Sequence, residues 1–236
     1  MTRRRWIADE VSDNRAALNG AHADHLTRVL RASVGQEFDI SAGPVVRRGR
    51  IVKVADGRVE FALGEEVPAA ALANLTVVLA VFKFDRMEWA IEKCTELGAS
   101  RIIPLVARRT DTHLAAASAK RVERWRRIAL QAAEQSRRTT PPEIPHPIKL
   151  AQALSLSGGM RVVLAESEEK TRLHQLFASS SEGDVVLAIG PEGGWAEDEL
   201  RAFHQAGWIS ASLGERILRA ETAAITATAL AISLLG

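Results

Sequence analysis

Two textures follow one another along the chain. Up to about Pro68, short alternating runs recur at 37–40, 45–54 and 58–63, punctuated by glycines at 43, 49, 57 and 64. Period-two alternation between glycines predicts half-buried strands. One helix is expected ahead of them, because Leu26, Val29 and Leu30 have helical spacing. A small β-barrel with a single helix fits this stretch, and Pro68 with alanines 69–71 reads as a linker.

From Leu75 the runs become continuous and alternate with helical periodicity. Residues 75–82 form an apolar run broken only by Thr76, as expected for a strand buried on both faces. Residues 86–97 place apolar side chains at 87, 90, 91, 94 and 97, and Gly98 supplies a stop. A strand at 101–106 and a helix at 120–136 follow. The helix is broken by the four prolines within 139–147. Strands at 161–165, 185–189 and 209–213 complete the pattern, with a helix at 197–205 between the last two. Alternation of this kind predicts an α/β domain with a mainly parallel sheet.

Composition adds little: 47% apolar and 25% charged residues among 236 is ordinary for a globular protein. Cys94 is the single cysteine, which excludes an intrachain disulfide and a cysteine-only zinc site. The histidines are scattered, and His22 with His25 is a weak metal signal, so no metal is expected. The uncharged run 222–235 is 14 residues long, short of the roughly 20 that span a bilayer. It reads as a buried helix, with no membrane partner expected. With no secretory leader apparent, the expected location is the cytoplasm.

Charge changes the picture once it is divided. The net charge is +2. Residues 1–72 carry 11 basic and 10 acidic groups, residues 73–150 carry 14 and 8, and residues 151–236 carry 6 and 11. A basic middle raises the expectation of a polyanionic partner, chiefly nucleic acid. Lys120, Arg124, Arg127, Gln131, Glu134 and Arg138 recur at spacings of three and four, so they form one stripe. Such a stripe is either a solvated face or a phosphate contact, and its basic excess favours the second.

Two loops stand out as candidate sites. Gly190-Pro191-Glu192-Gly193-Gly194 follows the strand at 185–189, where open α/β sheets bind ligands. It lacks the Gly-Lys-Ser/Thr of a phosphate cradle and is not a dinucleotide fingerprint. It is either an ordinary turn or a site for a neutral or cationic ligand. The second loop, 213–223, carries charges straight into the apolar C-terminal helix. Buried there, they would be expensive unless paired. Glu221 either caps that helix or orients an arginine.

Four blocks in order, KFDRMEWAIEKCTELGASRIIPL (83–105), AAEQSRR (132–138), LAIGPEGG (187–194) and LGERILRAETAAITA (213–227), resemble the RsmE family of ribosomal RNA methyltransferases, within the SPOUT superfamily. RRRW (3–6) and HLTRVLR (25–31) resemble that family's PUA-like RNA-binding domain. The resemblance implies a PUA-like β-barrel over 1–70 and a SPOUT α/β domain with a C-terminal trefoil knot over 74–236. It also implies a homodimer that transfers a methyl group from S-adenosylmethionine to N3 of one uridine in 16S rRNA of the small ribosomal subunit. Carried over position by position, the cofactor contacts are Leu164, Ile189, Gly190, Pro191, Glu192, Gly193, Gly194, Leu213, Gly214, Ile217, Leu218 and Ala223. Two positions depart from the family pattern. Position 137 is Arg where Gly is frequent, and position 196 is Ala where a Ser or Thr cap is usual, a loss of about 1 kcal/mol.

The chemistry then asks for a fixed cation beside the uracil oxygens, since N3 is a poor nucleophile until its proton leaves. Arg219 is assigned that role, with Glu221 orienting it or accepting the proton. Arg3, Arg4, Arg5, His25, Arg28 and Arg31 are expected RNA contacts of the first domain. Arg124, Arg127, Glu134, Gln135 and Arg138 are those of the second. Trp6 either stacks a base or lies buried. Alternatives are a SPOUT enzyme acting on ribose 2′-hydroxyls or transfer RNA, and an RNA-binding assembly factor without catalysis.

Overall fold

A computed structural model describes residues 5–43, 45–68, 74–178 and 183–235. The chain divides into two compact units, residues 1–71 with 133–141 and residues 72–132 with 142–236.

The first unit holds β1 (Arg5–Ile7), β2 (Glu10–Ser12), β3 (Arg15–Asn19), α1 (Gly20–Asp24), β4 (Glu37–Ala42), β5 (Val45–Ala55) and β6 (Arg58–Val67). Its strands form one sheet in the order β1-β4-β5-β6-β3-β2, antiparallel except for β1 beside β4. The two edge strands are consecutive in sequence. Ala8 donates to the Ser41 carbonyl and Asp9 to that of Ala17, so the sheet curls until its edges are bridged by one short connection. Leu18, Leu26, Ile40, Ile51, Val59 and Phe61 fill the interior. Val29 and Leu30, expected to share a buried stripe with Leu26, stay 65% and 36% exposed. A π turn at His25–Val29 follows α1, and the Leu30 amide bonds back to His25. The wider turn rotates those side chains off the face that ordinary helical spacing assigns them.

The second unit is built on six parallel strands in the order β12-β10-β11-β7-β8-β9. They are β7 (Asn74–Ala80), β8 (Arg101–Val106), β9 (Ile148–Lys149), β10 (Met160–Leu164), β11 (Asp184–Ile189) and β12 (Ile209–Ala211). Helices α2 (Phe84–Leu97), α3 (Thr112–Ser118), α4 (Val122–Gln135), α5 (Leu150–Leu154), α6 (Leu173–Ala178), α7 (Glu197–Gln205) and α8 (Ala220–Leu235) complete the chain. Side chains alternate across the sheet. Leu75, Val77, Leu79, Leu187 and Ile189 meet α2 and α8, while Val78, Ala80, Val186 and Ala188 meet Phe203, Trp195 and Trp208 on the other face. Alanines 220, 224, 227 and 231 run along the buried side of α8, which lets it lie close to α2. Gly98 ends α2 at φ 119°, and a Cβ there would stand 3.2 Å from Ile232 of α8.

The segment 133–141 lies with the first unit although its sequence reads as part of the second domain. Its backbone is taken up there: Arg5 donates to the Arg137 carbonyl and Ser41 to that of Arg138. No helix among the described residues is long and apolar enough to cross a membrane.

Candidate functional site

A cavity of about 630 Å³ opens where β10, β11 and β12 end, within the roughly 300–1,000 Å³ of small-molecule sites. These neighbouring strands release three loops at one edge: 165–167, 190–195 and 212–219. Every residue named above as a cofactor contact lines this cavity, from Leu164 through Gly190–Gly194 to Leu213, Gly214, Ile217, Leu218 and Ala223.

Local chemistry explains the glycines. A Cβ on Gly190 would stand 3.1 Å from the Trp195 ring nitrogen. Trp195 cannot easily yield, because that nitrogen donates to the Leu164 carbonyl at 2.9 Å and the ring packs edge-on against Phe203. Gly194 closes a tight turn at φ 69° with its amide on the Pro191 carbonyl at 2.8 Å, and Gly214 lies at φ 146°. Both are conformations that side chains resist.

The helix after this loop starts on Ala196, which offers no cap. Glu199 reaches back instead. Its buried carboxylate accepts the Ala196 amide and the Arg108 amide, each at 2.9 Å. This is the second half of a capping box; the bond that a Ser or Thr at 196 would give the first-turn amides stays unmade.

Four arginines, 86, 109, 216 and 219, and two glutamates, 166 and 192, line the cavity. The site is thus not acidic although its third of the sequence is. Arg109 donates to the Gly193 carbonyl at 2.8 Å. Arg86 donates to Glu192 at 2.8 Å and approaches Glu221 at 3.8 Å. Glu221 is 4% exposed and does not itself line the cavity. Arg219 is exposed, lines the cavity, and forms no ion pair among the described residues. The charges feared expensive at 215–219 are therefore solvated, and only Glu221 is buried and paired. Arg86, Arg109 and Trp195 went unassigned in sequence. Arg86 was findable: it sits in the first turn after a buried strand, at the sheet end where ligands collect.

The expected RNA contacts are scattered in kind. Arg3 and Arg4 lie outside the described residues. Arg5 is half-buried, and desolvation holds its guanidinium below the usual range. His25 and Arg31 are exposed, and Arg28 pairs with Asp24 at 3.3 Å and Asp56 at 3.5 Å. Arg124 grips Glu88 through two bonds of 2.6 and 2.7 Å, while Arg127 and Gln135 are exposed. Glu134 is half-buried, 3.8 Å from His22. Arg138 is 8% exposed, so it does not extend the exposed stripe; burial pushes its guanidinium down to about 10. Trp6 is buried against the rings of His22 and His25. No cluster able to hold a metal occurs among the described residues.

Residues 69–232 match the RNA methyltransferase domain family. A ribosomal RNA small subunit methyltransferase E from Synechocystis is 32% identical over 232 residues, covering 96% of this chain and 76% of that one. Its counterpart from Bacillus subtilis is 35% identical, covering 89% and 87%. Among solved structures, the ribosomal RNA small subunit methyltransferase E from Neisseria gonorrhoeae, bound to S-adenosyl methionine, superposes with a TM-score of 0.86 at 27% identity, covering 99% of this chain and 98% of that one.

Proposed function

The chain belongs to the ribosomal RNA small subunit methyltransferase E family of RNA methyltransferases, and from that premise we propose that it methylates N3 of a specific uridine in 16S rRNA, using S-adenosylmethionine. The observation that carries this reading is the cavity at the ends of β10, β11 and β12, lined by every residue that the family resemblance assigns to the cofactor.

The residues present fit that group. Leu164, Ile189 and Leu213 offer apolar walls to a purine. Gly190, Gly194 and Gly214 leave backbone uncovered where a side chain would clash or strain. When bound, S-adenosylmethionine supplies a methyl group activated by its sulfonium. The protein's own task is then to present the base. Uracil N3 must lose its proton, and the resulting charge spreads over O2 and O4. An arginine at the cavity offsets that charge; Arg219, which lines the cavity, would serve at one of the two oxygens. Burial of Glu221 away from the cavity surface favours an orienting role over proton acceptance, which leaves solvent at the open mouth to take the proton.

Exposed Arg31 and Arg127 would hold RNA phosphates, with Arg28 and Arg124 joining only by giving up their carboxylate partners, and the target base is extruded from its stack to reach the cavity. On this reading the curled first unit is a PUA-like domain and the second unit ties a trefoil knot. The knot is supported by a chain that leaves β11, pairs β12 beyond β10, and returns in α8 to pack on α2, β7 and β11. A homodimer formed on the half-buried side of α8, working in the cytoplasm on the small subunit, completes the reading.

Purified protein incubated with small ribosomal subunits and isotopically labelled S-adenosylmethionine tests it. After digestion to nucleosides, the label is expected in 3-methyluridine. Label in 2′-O-methylated nucleosides, or none, contradicts the assignment.

A further inference from the structure

We propose that Arg86 is a catalytic residue: its guanidinium, cradled by Glu192 and Glu221, donates to the uracil oxygen on which negative charge collects, and Glu221 is its positioning residue. The proposal rests on the methyl-transfer reading above.

Arg86 lies in the first turn of α2, just past the end of β7, the strand paired with β11. Arg86 lines the cavity, and its guanidinium is held from two directions. Nη1 donates to Glu192 Oε1 at 2.8 Å, and Nε lies 3.8 Å from Glu221 Oε1. Those carboxylates come from different elements, the glycine-rich loop after β11 and the start of α8. Glu221 is the more telling of the two. It is 4% exposed, its Oε2 is buried without a hydrogen-bond partner, and Arg86 is its only ion-pair partner among the described residues. A carboxylate kept in that position is costly. Here it fixes the orientation of a side chain that does reach the cavity.

A guanidinium carries five N–H donors in a rigid fork. One hydrogen bond engages Nη1, and Nε faces Glu221 at ion-pair distance, which leaves Nη2 and the second Nη1 hydrogen for a ligand. Two carboxylates and one guanidinium sum to −1, so Arg86 is a directed donor rather than a phosphate trap, and Arg109, Arg216 and Arg219 in the same lining offset the deficit. That suits a carbonyl oxygen gaining partial charge. Arg219, exposed and without an ion pair among the described residues, must be ordered at each encounter.

Arg86→Ala leaves a cradle shaped for a guanidinium ion. Arg86→Gln, which keeps more of the stem, is the second variant. Guanidinium chloride at low millimolar concentration is the probe, with sodium chloride as control. Saturable binding to Arg86→Ala, followed by NMR, is expected, and its loss in Arg86→Ala with Glu221→Gln; this readout is independent of activity. On small subunits, kcat of Arg86→Ala should fall on the order of 100-fold with a smaller change in KM. Guanidinium should restore at least a tenth of it, whereas Arg86→Lys should not, because an ammonium lacks the fork. No saturable binding overturns the cradle. Binding without rescue, or rescue of Arg219→Ala to the same degree, overturns the catalytic role. Wild-type protein inactive on small subunits overturns the methyl-transfer reading instead, and the wild-type control separates that failure from failure of rescue.

Discussion

At position 137 an arginine takes a φ of 60° just after α4 ends. That is where a helix usually places glycine, which gives a physical reason for the glycine that the resemblance leads one to expect there. Arg137→Gly should raise stability by about 0.5–1 kcal/mol, relieved strain outweighing the added freedom of the unfolded chain. Urea denaturation checks this, and an unchanged or lower midpoint contradicts it. Cys94 makes the opposite kind of residue-scale statement. Burial beneath α8 pushes its thiol from 9.0 up to about 12. The folded state therefore holds that proton more tightly than the unfolded chain does. Its contribution is fully present below pH 9 and is lost as pH climbs towards 12. Wild-type stability should fall more steeply than that of Cys94→Ala across this window, and parallel pH profiles would refute it. Glu199 completes the set. Glu199→Ala strands the Ala196 amide and leaves the Arg108 amide without its carboxylate, and should cost roughly 2–3 kcal/mol, measured by the same denaturation. None of these three roles was legible in the sequence, because each depends on φ or on a partner supplied by the fold.

Elements were more legible where a run of apolar residues is long enough to fix its own period. The helix at 197–205 and the strand at 101–106 were placed at their observed bounds. The two elements flanking the sheet's centre, β7 and α2, were placed within two residues. Four short strands, β1, β2, β3 and β9, were missed, since two to five residues carry too little alternation, and the partners of all but β2 lie far along the chain. The π turn misled because its hydrogen bonding breaks the period on which the prediction rested. At the site, sequence alone picked out the glycine-rich loop after β11, but not why Gly190 is needed. Gly190→Ala should displace Trp195 and weaken S-adenosylmethionine binding roughly tenfold, about 1.4 kcal/mol, in titration calorimetry. Full affinity would show that the ring has room to move.

The whole molecule gives the charge asymmetry its meaning. The basic middle reads as an RNA-facing surface, but the structure thins it: Arg138 is buried, and Arg124 and Arg126 are committed to Glu88 and Glu123. The loop at 190–194, read as a site for a neutral or cationic ligand, borders a cavity whose lining has more arginines than glutamates. Composition averages over side chains that never meet, which is why it could not resolve either point. RNA binding should still weaken as salt rises. Arg127→Glu should reduce affinity more than Arg201→Glu, as read by filter binding at two ionic strengths, and equal effects would move the RNA surface elsewhere. The central claim is the identity of the modified base. Nucleoside mass spectrometry of 16S rRNA from cells lacking this protein tests it most directly: the account predicts that 3-methyluridine disappears and returns on complementation, and its persistence in the deletion strain would contradict the account.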